Sequence, residues 1–157
     1  MRVLMVCLGN ICRSPTAHAV MQRRLEQAGL AGAIEVDSAG TGDYHIGKPP
    51  DVRAQQAASE RGYDLSALRA RQLVPEDFEQ FDCLLAMDLS NLEHMIRMAS
   101  GEQLSKIHLM LSPLGPDREV PDPYYGGEDG FGEVLDLVEE ACDYWLEEFR
   151  RQLEQRH

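Results

Sequence analysis

The sequence is short of several things at once, and each shortage excludes a class of protein. Four scattered cysteines in 157 residues are too few for a disulfide-stapled scaffold, so a reducing cytoplasm is the expected setting. Basic residues are outnumbered, 15 against 27 acidic, which leaves a formal net charge of −12. That field repels nucleic-acid backbones and anionic membrane surfaces, so neither is an expected partner. The apolar run in "MRVLMVCLGN" is too short for a signal peptide, and no segment approaches membrane-spanning length. The five histidines (His18, His45, His94, His108 and His157) lack metal-ligand spacing, and no cofactor is expected. No repeat, low-complexity tract or linker divides the chain. With 43% hydrophobic content it has material for one core, and a single domain over residues 1–157 is expected.

What is present is ordered as strands alternating with helices. "VLMV", residues 3–6, is a short continuous apolar run, the pattern of a parallel strand buried on both faces. A helix follows, with Ser14 placed to cap it and Pro15 at its first position. Ala17, Val20, Met21, Leu25 and Ala28 trace its apolar face, and Gly29 stops it. "IEVDSAG" from residue 34 reads as a second strand, and residues 51–61 as a helix entered through Pro49 and Pro50 and ended by Gly62. "CLLAM" at 83–87 is a third strand. It leads into a helix over about 89–99, where Ser90 and Glu93 have capping-box spacing. "KIHLML" is a fourth strand, and Phe131, Val134, Leu135, Val138, Ala141, Cys142, Trp145 and Phe149 recur at helical spacing in a final long helix. The fold class is α/β: an open, mostly parallel, four-stranded twisted sheet with helices on both faces, Rossmann-like in layout. In such sheets ligands bind beyond the carboxyl ends of the strands, and Cys7 sits at the end of the first.

The segment "VCLGNICRSP" raises a chemical question. It puts two cysteines, a glycine, an asparagine and an arginine on one tight turn, a combination packing does not need. Five residues separate Cys7 from Arg13, and Ser14 follows. If the loop Leu8, Gly9, Asn10, Ile11, Cys12 curls around a tetrahedral dianion, its N–H groups point inward at the start of a helix. Gly9 would supply backbone angles that a β-carbon resists. Arg13 can take two phosphate oxygens in a fork, and together with the backbone dipoles it favours a thiolate at Cys7. Ser14 can donate to that sulfur and help it leave. The pattern is one of nucleophilic cysteine catalysis with a phosphate-binding loop after the first strand.

Such a mechanism needs an acid for the leaving group, because even a tyrosine phenol has a pKa of about 10. Asp122 in "EVPDPYYGG" lies between two prolines, in a stretch from Ser112 to Gly130 without a convincing element. So long a loop in a small domain is usually functional. The same carboxylate could later activate water.

These segments resemble the low-molecular-weight protein tyrosine phosphatases. The resemblance runs from "VCLGNICRSP" through "DSAGT", "GKPPDVRA", "ARQL" and "AMDLSNL" to "DPYY", in order and over nearly the whole chain. It implies Cys7 as nucleophile, Arg13 as phosphate ligand and Asp122 as general acid and base. It implies that Asn10, Ser14 and Ser38 support the loop, and that Tyr44 and Tyr124, with Tyr125 beside them, wall a pocket to which Ile11 adds an apolar side. Cys12 matches the family's second cysteine, which can trap oxidised Cys7 as a disulfide. It also reads as a small hydrophobe where the helix begins. The implied partners are phosphotyrosine proteins, an autophosphorylating tyrosine kinase among them. One position departs: Leu68 stands where the family often has a histidine that supports the asparagine network. The network is then expected to be one member short, to lean on Ser38, and to borrow a backbone group or water.

Two other readings remain open to test. A thiol-based arsenate reductase of related fold would use the same loop but needs further cysteines in a mobile segment, whereas Cys83 and Cys142 fall on apolar faces. A phosphotyrosine-binding module would be expected to lack the nucleophile or the acid, and both are present.

Overall fold

The structure is a computed structural model that describes residues 1–124, 126 and 129–156. The chain runs β1 (Arg2–Cys7), α1 (Arg13–Gln27), β2 (Glu35–Gly40), α2 (Val52–Glu60), α3 (Asp77–Gln80), β3 (Cys83–Ala86), α4 (Leu89–Met98), β4 (Ile107–Leu109) and α5 (Asp129–Gln155). All the strand pairings are parallel, in the order β2-β1-β3-β4. Among the described residues no helix is long and apolar enough to cross a membrane.

Alternation along β1 divides the core into two layers. Val3 and Met5 face α1 and α5, packing among Val20, Met21, Leu25, Val134, Val138 and Phe149. Leu4 and Val6 face the other way, among Phe78, Phe81, Leu84 and Met95. Successive strand side chains point to opposite faces, so a strand buried on both sides must be apolar throughout. That is why four consecutive apolar residues read correctly as a strand.

From β1 the chain crosses to β2 on one side, then returns to place β3 on the other. The crevice between these outgoing connections, above the carboxyl end of β1, is the topological switch point where open sheets bind ligands. Cys7 is the last residue of β1 and lies there.

Several local expectations need correction. Cys12, not Ser14, is the cap residue of α1, and Ser14 lies inside the first turn. Pro15 is tolerated there because first-turn N–H groups have no intrahelical partner. The α4 cap is Asp88, whose side chain accepts from the Asn91 N–H, so Ser90 and Glu93 form no capping box. Residues 112–114 form a short 3₁₀ turn within the stretch read as element-free. Helix α3, four residues long, is too short to show a period, and its Asp77 is held by tertiary contacts.

Gly40 closes β2 against the segment that follows α2. Its N–H donates to the Arg71 carbonyl, and its own carbonyl accepts from the Leu73 N–H. A β-carbon here would sit 2.7 Å from the Leu8 carbonyl oxygen and 3.2 Å from Asn10 Cβ, so the loop would have to shift. Gly40→Ala is expected to destabilise the protein by about 1–3 kcal/mol in urea unfolding, as overpacking does. Gly32→Ala, where a β-carbon meets nothing within 4 Å, serves as the neutral control. Equal midpoints for the two variants would show that the loop does not lean on this strand end.

Candidate active site

The loop between β1 and α1 closes on its own sulfur. The Asn10 N–H donates to Cys7 Sγ at 3.3 Å, and Ser14 Oγ lies 3.0 Å from the same atom. Asn10 Nδ2 donates to Ser14 Oγ at 2.7 Å, which leaves the Ser14 hydroxyl hydrogen free to point at the sulfur. Cys7, Asn10, Arg13 and Ser14 are all buried. The first turn of α1 presents its unpaired N–H groups on this side, where they favour negative charge.

The left-handed residue of the loop is Asn10, with φ of 58°, and not Gly9. Asn is among the few residues that enter this region readily, because its short polar side chain can bond locally. Here the Arg71 N–H donates to Asn10 Oδ1 at 3.0 Å while Nδ2 reaches Ser14. A backbone donor on one end therefore settles which end of the carboxamide is oxygen. At Gly9 a β-carbon would lie 3.0 Å from the His45 ring, close enough that the ring would have to give way.

Arg13 is anchored by the protein's own groups. Its Nη1 donates to Asp88 Oδ2 at 2.7 Å and to the Val120 carbonyl at 3.1 Å, and its Nη2 stands 3.7 Å from Asp122 Oδ2. Burial alone would lower the Arg13 pKa, but Cys7, Asp88 and Asp122 outweigh it and hold the group above its ordinary value. With Nη1 saturated, Nε and Nη2 remain as the fork for two anion oxygens.

Asp122 Oδ1 accepts the Tyr124 N–H at 3.0 Å and the residue is exposed at the cavity mouth. Cys7, Leu8, Gly9, Ile11, Cys12, Arg13, Tyr44, His45, Asp122 and Tyr124 together line a cavity of about 390 Å³. Tyr44 and Tyr124 stand at its exposed rim, while the sulfur is buried at the base. Tyr125 lies outside the described residues. Ser38 does not bond Asn10: its hydroxyl shares a 3.2 Å hydrogen bond with His18 Nδ1. The support expected from a histidine at position 68 comes instead from the Arg71 backbone, while Leu68 packs at the edge of the core.

The remaining thiols divide by environment. Burial pushes the Cys12 thiol up to about 12, with Asp51, Cys7 and Asp122 adding to it and Arg53 opposing. Burial likewise pushes Cys83 up to about 12 and raises Cys142 further. Those two sit in β3 and α5 as core. No mobile resolving cysteine is therefore available from either, which disfavours the arsenate reductase reading.

Sequence reading missed Asp88, Arg71, His45 and Arg53. Arg53, Arg71 and Asp88 fall in the segments "GKPPDVRA", "ARQL" and "AMDLSNL", and Asp88 carried a further signal as an Asp just after a buried strand and before a helix, at the same sheet end as Cys7.

By class, this is an open α/β protein with a thiol-and-guanidinium loop at its switch point. The chain belongs to the low molecular weight phosphotyrosine protein phosphatase family, whose model matches residues 2–155. A Streptomyces coelicolor low molecular weight protein-tyrosine-phosphatase is 44% identical over 160 residues, covering 99% of this chain and 97% of the relative. The crystal structure of an Entamoeba histolytica protein tyrosine phosphatase with Hepes in its active site superposes with a TM-score of 0.92 at 39% identity, covering 97% and 98%. Vibrio vulnificus Wzb in complex with benzylphosphonate superposes at 0.83 with 31% identity, covering 94% and 97%.

Proposed function

We propose that this chain hydrolyses phosphotyrosine and small aryl phosphates through a phosphocysteine intermediate. The observation that carries the reading is the convergence of Cys7, Arg13 and Asp122 on one cavity with aromatic rims. The Cys7 thiolate attacks phosphorus, forming the S–P bond as the P–O bond to the aryl group breaks, and Asp122 protonates the departing oxygen. Water then attacks the phosphocysteine, the Asp122 carboxylate takes its proton, and phosphate leaves as the thiolate is restored. The Ser14 hydroxyl, turned toward Sγ by Asn10, stabilises that sulfur as it departs. Arg13 and the loop N–H groups hold the equatorial oxygens throughout.

Depth selects the substrate. A phosphotyrosine ring spans the distance from the rim to a buried sulfur and meets Tyr44 and Tyr124 on the way. Phosphoserine and phosphothreonine are too short and gain no stacking. The benzylphosphonate bound by the Vibrio relative has the same aryl-and-phosphorus shape, which supports this substrate class. A cytoplasmic setting, a monomer and an autophosphorylating kinase as physiological partner complete the proposal, by analogy with the family.

Phosphotyrosine peptides and p-nitrophenyl phosphate are expected to be hydrolysed in the presence of a chelator, with phosphoserine turned over poorly and Cys7→Ser inactive. Full activity in Cys7→Ser, or its loss to the chelator, contradicts the mechanism.

Cys12 supplies the redox reading. Peroxide converts the Cys7 thiolate to a sulfenic acid, and the Cys12 sulfur attacks it, forming a disulfide and releasing water. Since the attacking species is the thiolate, and burial and Asp51 hold the Cys12 thiol up, capture is expected to be slow at neutral pH. Disulfide formation after sulfenylation is expected to accelerate about tenfold per pH unit between roughly pH 7 and 9, followed by non-reducing peptide mapping. A flat profile would contradict the raised Cys12 thiol, and no Cys7–Cys12 bond at all would leave Cys12 as packing.

A further inference from the structure

The motif "GKPPDVRA" has no part in the chemistry so far, yet its arginine holds an unusual place. Arg53 is the second residue of α2, where a cation opposes the helix dipole. Something must offset that, and three groups do so. The Asp51 cap accepts from the Arg53 N–H at 2.8 Å, from Nε at 3.1 Å and from Nη2 at 3.0 Å. Nη2 also donates to the Tyr124 carbonyl at 3.0 Å. The guanidinium carbon lies 5.5 Å from the Tyr124 ring centroid and 5.0 Å from that of Phe131, within cation–π range of both.

The partners of Tyr124 make this arrangement consequential. Its N–H donates to Asp122 Oδ1 while its carbonyl is taken by Arg53, so one residue links the proposed acid to α2. Phe131 is buried in the first turn of α5 and forms the far wall. Asp51, which orients the guanidinium, donates its own N–H to the Ile11 carbonyl in the phosphate loop. Arg53 therefore joins the loop that carries the nucleophile side to the segment that carries the acid, yet it does not line the cavity between them.

We propose that Arg53 is a positioning residue for the acid: a strap that fixes Tyr124, and through it the Asp122 carboxylate, at leaving-group distance. The proposal rests on the reading of Asp122 as general acid, and the experiment separates the two. kcat/KM, which reports formation of the phosphocysteine, is measured across aryl phosphates from p-nitrophenyl to phenyl for wild type, Arg53→Ala, Arg53→Lys, Asp122→Asn and the Ala/Asn double variant. Misplacing the acid should cost Arg53→Ala about 10- to 100-fold on phenyl phosphate, with much less loss on p-nitrophenyl phosphate, whose leaving group needs little protonation. Lysine keeps the charge but cannot pair, donate and stack from one plane, so Arg53→Lys should retain most of that leaving-group dependence. Removing Arg53 from Asp122→Asn should add little, because the two act in series.

A uniform loss across the series, with raised KM restored by lysine, would overturn the strap in favour of a long-range pull on the substrate dianion. An unchanged Arg53→Ala would overturn it as well. If Asp122→Asn depends on the leaving group and Arg53→Ala does not, the strap alone falls. If Asp122→Asn itself shows no such dependence, the acid assignment falls and the strap with it.

Discussion

Asn10 holds a backbone conformation that most residues avoid, and its carboxamide spends both ends keeping it there. Oδ1 takes the Arg71 N–H and Nδ2 reaches Ser14 Oγ, while the Asn10 N–H turns onto Cys7 Sγ. The left-handed turn is what curls the loop, and the curl is what brings N–H groups, sulfur and guanidinium onto one cavity. A residue in such a state costs on the order of 1–3 kcal/mol and persists only where its surroundings over-determine it. Here the surroundings reach far. Arg71 is itself clamped by Asp77 through two hydrogen bonds and by Asp37 Oδ2 through two more, so the donor that holds Asn10 is fixed by β2 and α3.

The same placement resolves the electrostatic tension in the composition. A chain of net charge −12 handles an anion by local means. The Arg13 charge is kept in place by Asp88 and Val120, the loop dipoles converge at close range, and the acidic surplus lies largely on outer faces such as that of α5. Asp88 shows the economy of the design: one oxygen caps α4 and the other fixes Arg13. At short range in a buried site such contacts outweigh a diffuse field that salt screens.

Much of this was legible in the residues and some was not. β1 could be read because a doubly buried strand must be continuously apolar, and the Cys7-to-Arg13 spacing because a loop of that length can wrap a tetrahedral anion. Asp122 stood out through its prolines. The supports were hidden: Arg71 lies 61 residues from Asn10, and Asp88 lies 75 from Arg13, with no local period to link them. His18 illustrates the limit. On α1 it reads as a helix-face residue, and only packing shows that it bonds Ser38, which the family resemblance had placed among the supports of the loop. Gly9 reads from the sequence as the permissive residue of the turn, but the positive φ falls on Asn10, because composition identifies a tight turn without saying which residue takes it.

The Asn10 side chain, which need not touch the substrate, presets the loop for an anion. The direct measurement is the inhibition constant of inorganic phosphate for wild type, Asn10→Ala and Asn10→Gly. Both variants lose the bridge between Arg71 and Ser14, and phosphate should bind about tenfold more weakly to each, as expected for the loss of two buried hydrogen bonds. Glycine relieves the left-handed strain but supplies no carboxamide, so it should fare no better than alanine at holding phosphate. An unchanged constant in either variant, or full recovery with glycine, would contradict the account: the curl would then be set by the backbone alone.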